Sequence, residues 1–172
     1  MATTNSQRLT VGSIMLASAA GLWEGNSQFT VYADKVANGI ATVCRGHTGK
    51  DLEGNILKVG TPYTEEQCNS IDRYNAVKYS SAILYCVKVN INQETLDALS
   101  LFAWNVGIKA ACVDSQAIKL INQGKISDGC RALATNQYGR PAWSMAGGKY
   151  VQGLQNRRLY ERDWCLRGVV KT

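Results

Sequence analysis

Proline is nearly absent, with two residues in 172, and no stretch of low complexity accompanies it. A Pro-rich linker or a long disordered tail is therefore excluded as the body of the chain. Histidine occurs once, at His47. A single imidazole, with no Cys-x-x-Cys anywhere, argues against a structural zinc site. Without a Ser or Cys nucleophile signal beside it, His47 also makes no catalytic triad and reads as a structural, hydrogen-bonded residue. No apolar run has the length of an ordinary membrane span; the nearest is "LTVGSIMLASAAGLW", Leu9 to Trp23, uncharged but short and rich in Gly, Ala and Ser. No internal repeat is found.

What is present describes one globular domain. Hydrophobic residues make up 45% and charged residues 19%. The net charge of +6 is unevenly placed: residues 131 to 172 hold eight Lys or Arg against two acids, so the first 130 are neutral. Such a basic end suits an anionic partner such as nucleic acid, anionic lipid or an acidic cell-wall polymer, or is a solvated face. Aromatics do not alternate with the basic residues in a nucleic-acid-binding motif, so no nucleic-acid partner is expected. Six widely spaced cysteines, Cys44, Cys68, Cys86, Cys112, Cys130 and Cys165, fit three disulfides in an oxidising compartment. Sequence alone leaves all fifteen pairings open. Leu9–Trp23 fits that compartment as an export signal or weak anchor, with Ala17-Ser18-Ala19 in the small-x-small form of a cleavage site. The alternative is that the segment is a first core helix of the folded domain.

Along the chain, Val31 to Cys44 reads as a β-hairpin, with strand-favouring Val31, Tyr32, Val36, Ile40, Thr42 and Val43 about an Asn38-Gly39 turn. Thr64 and Gln67 have capping-box spacing at the start of a long helix. Asn92 caps a second helix on which Leu96, Leu99, Phe102, Ala103 and Val106 share a face; Leu101 and Trp104 make it apolar all round, so it is the buried central helix, stopped by Gly107. Shorter helices follow over 115–122 and from Ser127, and a last one runs from about Gln152 to Leu166, stopped by Gly168. Trp104, Trp143 and Trp164 are core by default, although the loop holding Trp143 is placed to line a cleft. The class is α+β, with a β-region of about 24–62 and a helical lobe of about 63–168.

Two acids carry the chemistry. Glu24 follows an apolar segment and Trp23, surroundings that raise a carboxyl pKa and suit a general acid. Asp34, on the hairpin, stays ionised. Unlike environments for two carboxyl groups are what glycoside hydrolysis requires. A three-residue loop, Ala37-Asn38-Gly39, pairs Val36 with Ile40 and puts Asp34 directly opposite Thr42; any odd-numbered loop keeps the two on one face, and a two-residue loop separates them.

The order Glu24-Gly25, Tyr32-x-Asp34 and Thr42-Val43-Cys44-x-Gly46-His47-Thr48-Gly49-Lys50 resembles the phage-type lysozymes, the muramidase endolysins of bacteriophages (glycoside hydrolase family 24). "YTEEQC", "LDALSLFAWNVG" and "AGGKYVQGLQNRRLYERDWCLRG" extend the resemblance over about Gly21 to Gly168. It implies a lysozyme-like fold: residues 1–23 as signal-anchor or first helix, 24–172 as one catalytic domain. It also implies cleavage of the β-1,4 bond between N-acetylmuramic acid and N-acetylglucosamine in peptidoglycan, with inversion and without metal or organic cofactor. Glu24 matches the acid, and Asp34 and Thr42 match the residues that position water. The pairing it favours is Cys44–Cys68, Cys86–Cys112 and Cys130–Cys165. A monomer is implied, made in the infected host and acting on the wall from the periplasm after transient membrane contact through Leu9–Trp23. The family usually spaces its Glu and Asp nine apart and its Asp and Thr six apart; here the intervals are ten and eight. Two extra hairpin residues, one per strand, keep the facing residues opposite, whereas one extra residue before Asp34 needs a bulge or a longer loop. The rivals are a lytic transglycosylase, which needs no water-positioning Asp and leaves anhydro-muropeptides, and a non-catalytic peptidoglycan-binding module, which needs none of the three residues.

Overall fold

The computed structural model describes residues 9–23, 28–35 and 38–170. Glu24 and Val36, both singled out above, lie outside the described residues. Helix α1 (Ile14–Trp23) leads into a three-stranded antiparallel sheet, β1 (Gln28–Asp34), β2 (Ile40–Cys44) and β3 (His47–Thr48), in the order β1-β2-β3. The long helix α2 (Glu65–Cys86) follows, then α3 (Gln93–Val106), a π-helical turn (Ala110–Asp114), α4 (Gln116–Asn122) and α5 (Ile126–Arg131). A two-stranded ribbon, β4 (Met145–Ala146) and β5 (Lys149–Tyr150), precedes α6 (Gln152–Val170). This is the α+β arrangement expected, a small sheet and a mainly helical lobe.

The helix starts follow local chemistry. Thr64 accepts from the Gln67 backbone N–H while the Gln67 side chain accepts from the Thr64 N–H, the reciprocal box that satisfies two free donors at the start of α2. Asn92 caps α3 through the Thr95 N–H, and Ser115 caps α4 through the Ile118 N–H. Every residue of α3 from Thr95 to Trp104 is buried, so it is the central helix around which α1, α2 and α6 pack. Leu96, Leu99, Leu101 and Phe102 are wholly inaccessible there, each contributing about 1.5–3 kcal/mol of burial free energy.

Helix α6 corrects one expectation: Gly168 does not stop it, and the helix continues to Val170. A side-chain carbon at Gly168 would fall onto the Asn92 side chain, whose Nδ2 donates to the Gly168 carbonyl. Glycine is there to let the start of α3 approach α6. The ribbon β4–β5, the strand β3 and the π-helical turn also went unread, being too short for any periodicity to show.

The N-terminal segment is docked in this structure. Leu16, Ala19 and Ala20 of α1 join the main core, while Ile14, Met15 and Leu22 face outward. Polar contacts hold its entrance: Thr10 exchanges hydrogen bonds with the Gln93 amide, the Gly12 N–H donates to Ser80 Oγ, and Ser13 Oγ donates to Asp97 at 2.7 Å. No described helix is long and apolar enough to cross a membrane.

Burial raises the pKa of Asp97 above the ordinary carboxylate value of 3.8, against the hydrogen bonds from Ser13 and Gln93 that lower it, and Glu94 adds to the rise. A raised folded-state value makes a contribution that is complete below the unfolded value and is lost as pH rises through the folded one. Asp97→Asn removes that dependence. The melting temperature of Asp97→Asn minus that of the wild type is therefore expected to increase from acidic to neutral pH, as thermal melts across that range would show. A flat difference contradicts it.

Candidate active site

The hairpin sets the site. Its register pairs Tyr32 with Thr42, Ala33 with Ala41 and Asp34 with Ile40. The loop therefore spans residues 35–39, five rather than three. It closes with the Gly39 N–H donating to the Asp34 carbonyl at 2.6 Å, and Asn38 and Gly39 both take positive φ, 56° and 81°. This corrects the expected pairings of Val36 with Ile40 and of Asp34 with Thr42. The odd loop length preserves what mattered: Asp34 and Thr42 share a face of the sheet, as diagonal neighbours rather than as a facing pair. Diagonal positions lie roughly 7–8 Å apart.

A register irregularity falls between Gln28 and Tyr32. Gln28 opposes Cys44, so four steps along β1 match two along β2. In the intervening stretch the Val31 N–H donates to the Thr61 carbonyl and the Val31 carbonyl accepts from Gly60, while the Tyr63 N–H donates to Phe29. The bulged residues have turned to pair with the segment before α2. The bulge expected ahead of Asp34 is thus in β1 itself.

Thr42 is 1% exposed, and its hydroxyl donates to the Ile40 carbonyl at 2.9 Å, which leaves its lone pairs to accept. Asp34 is half-buried at the end of β1. On the opposite face of the hairpin, Val31 and Val43 pack into a second, smaller core that also holds Cys44, Leu57, Cys68 and Ile71. That apolar packing fixes which face is left for chemistry.

Behind the hairpin, the turn between β2 and β3 is fastened to α2. Cys44 is bonded to Cys68 with Cα atoms 5.2 Å apart. His47 is 8% exposed; its Nε2 donates to the Lys50 carbonyl at 2.7 Å, and its Nδ1 lies 3.4 Å from Asn75 Nδ2. Both nitrogens are engaged in structure. Arg45 pairs with Asp72. The structure also joins Cys86 to Cys112 and Cys130 to Cys165, the same pairs that the family resemblance implies.

Beyond the turn, Thr48 and Asp51 differ in what they do. Thr48 pairs with Thr42 across β2–β3. Asp51 accepts from the Glu53 and Asn55 backbone N–H groups and from Asn55 Nδ2. Burial alone would raise its pKa, but these bonds hold it below the usual value. It organises its own loop. The pocket beside it, about 280 Å³ between that loop and the start of α2, contains neither Asp34 nor Thr42.

In the helical lobe, Trp104 and Trp164 are core residues, and Trp143 packs edge-on against Phe102 with centroids 5.5 Å apart. The basic C-terminal part is less of a surface than its charge suggests. Arg157 and Arg158 are buried and both bind Glu161 Oε1, at 3.1 and 2.7 Å; Arg157 also donates to the Leu101 carbonyl, and Arg158 lies over the Phe102 ring.

A phage lysozyme family model matches residues 22–161 of this sequence. The chain belongs to the phage lysozyme family. It is similar to the SAR-endolysin of Bacteriophage PS119, 34% identical over 170 residues that make up 98% of this chain and 92% of that one. Among solved structures it is similar to the endolysin from Escherichia coli O157:H7 phage FAHEc1, with TM-score 0.73, 29% identity and coverage of 94% of this chain and 96% of the other. It is also similar to a point mutant of the lysozyme of phage P22, with TM-score 0.72, 27% identity and coverage of 90% and 97%. The chain is a lysozyme-type hydrolase with a peptidoglycan-lysing, muramidase role.

Sequence reasoning missed the Arg45–Asp72 pair and the Asn75 contact. A signal was available: Cys68, Asp72 and Asn75 stand at i, i+4 and i+7 on one helical face, opposite Cys44, Arg45 and His47. The buried Arg157–Glu161–Arg158 cluster gives the prediction for this part of the molecule. Glu161→Ala leaves two buried guanidinium groups without their carboxylate and is expected to cost about 3–5 kcal/mol of stability. Urea unfolding measures it, and a change below about 1 kcal/mol, the order of an exposed ion pair, would contradict the burial argument.

Proposed function

We propose that this lysozyme hydrolyses the β-1,4 bond between N-acetylmuramic acid and N-acetylglucosamine, with Glu24 as general acid and Asp34 and Thr42 positioning the attacking water. The observation that carries this reading is the hairpin register. A directly facing Asp and Thr, about 4.5–5.5 Å apart at Cβ, leave little room between them for a third group. Diagonal neighbours leave room for one water held between the Asp34 carboxylate and the Thr42 lone pairs. Asp34 accepts a proton from that water as it attacks the anomeric carbon. Glu24 gives its own proton to the departing glycosidic oxygen. The carboxylate left on Glu24 then regains a proton and the acid formed on Asp34 loses one, by exchange with solvent. Water entering opposite the leaving group inverts the anomeric centre.

Residues 24–172 form the catalytic domain in this reading, and the chain acts as a monomer on the wall from the periplasm. The segment 1–23 tethers the protein to the membrane before release and docks as α1 afterwards. The absence of charge from Leu9 to Trp23 and the outward Ile14, Met15 and Leu22 support the tether. At about 1.5 Å per residue, a helix over these residues spans only about three quarters of a roughly 30 Å hydrocarbon core, so such a tether is weak and reversible.

Turbidity of permeabilised Gram-negative cells tests the acid. Glu24→Gln is expected to lose about 10²–10⁴-fold in lysis rate, the usual worth of a positioned general acid. Thr42→Val, which keeps the volume and removes the lone pairs, is expected to lower turnover with little change in substrate affinity. Lysis by Glu24→Gln at the wild-type rate would remove the acid assignment.

A further inference from the structure

The turn after β2 meets α2 at three successive points. Cys44 is bonded to Cys68, Arg45 pairs with Asp72, and His47 Nδ1 faces Asn75. The disulfide and the histidine already anchor the turn. Arg45 adds a contact that neither of them makes. Its guanidinium passes across Gly21, so that a side-chain carbon at Gly21 would stand 3.7 Å from Cζ and Nε and 3.8 Å from Nη2. Gly21 lies in the last turn of α1, three residues before Glu24. One side chain thus joins the hairpin turn, α2 and the end of α1.

The pair is poorly built for stability. Arg45 Nε is buried and finds no hydrogen-bond partner among the described residues. The Arg45 side chain is 26% exposed and that of Asp72 only 6%. A partly exposed pair of this kind contributes little net stability. Its use is better sought in what it fixes. Helix α1 packs against α3 and belongs to the helical lobe, whereas Asp34 and Thr42 ride on the hairpin.

We infer that Arg45, held by Asp72, is a positioning residue that sets the approach of the end of α1 to the hairpin, and so of Glu24 to Asp34 and Thr42. It touches no reacting atom. The inference rests on the catalytic roles proposed above.

Two variants at Arg45 test it in the full chain. Arg45→Met keeps the length of the stem and its apolar packing; Arg45→Lys keeps the charge without the fork. On solubilised glycan strands, with new reducing ends as the readout, Arg45→Met is expected to lose about tenfold or more in kcat, the scale of a sub-ångström to roughly 1 Å displacement. KM should stay within about twofold, because binding is not what the pair supplies. Arg45→Lys recovers part of kcat, Asp72→Asn resembles Arg45→Met, and the double variant Arg45→Met with Asp72→Asn is no worse than either single one. Hydrogen exchange supplies a readout free of activity: amides of Gly21–Trp23 and Arg45–His47 exchange faster in Arg45→Met, and those of α3 do not. A kcat for Arg45→Met within about twofold of the wild type, or one that falls only with the folded fraction, overturns the inference. Unchanged exchange at both segments does so as well. A wild type that releases no reducing ends would sink the proposed reaction instead, and the exchange comparison would still decide the positioning contact.

Discussion

The bond between Cys44 and Cys68 is the constraint on which the hairpin depends. It fixes the end of β2 to the first turns of α2, closing a loop of 24 residues that contains β3 and the Asp51 loop. A cross-link of that span contributes about 3 kcal/mol by restricting the unfolded chain. Its geometric effect matters as much. With Cys44 pinned, Val43 and Val31 are held over Leu57 and Ile71, and the other face of the hairpin is left to Tyr32, Asp34 and Thr42. Turning the hairpin over would expose the small core, so burial and disulfide enforce the same orientation.

The larger core makes a matching demand on the helical lobe. Helix α3 is buried along most of its length, and Gly168 lets α6 come close to its start at Asn92. Helix α1 sends Leu16, Ala19 and Ala20 into that core and packs Trp23 against it beside Tyr160, and its entrance is held by polar contacts to Gln93, Ser80 and Asp97. The polar contacts specify where it docks.

Much of this was legible in the sequence, for identifiable reasons. The capping box at Thr64, the Asn92 cap and the uninterrupted apolar run of α3 are local signals, and local signals are read directly. The parity of the hairpin loop was also legible, because period-two alternation ties the faces of Asp34 and Thr42 to an odd loop length. The loop length itself was not. Three and five residues differ only in how far the strands zip, and that depends on the bulge in β1 and on its pairing with residues 60–63, which are tertiary facts. Gly168 misled because glycine serves equally as a helix stop and as a close-contact residue, and only the distant Asn92 decides which. The buried pair of Arg157 and Arg158 was hidden in the same way: charge counts assign basic residues to the surface until a buried carboxylate is found.

The proposed hydrolysis depends on a water held between diagonal hairpin residues and attacking opposite the leaving group. The anomeric configuration of the first-formed reducing end, followed by proton NMR before mutarotation, tests this most directly. Hydrolysis of the β-linked glycan by that water predicts the α-anomer as the initial product. An initial β-anomer, or a product with no free reducing end, would contradict it.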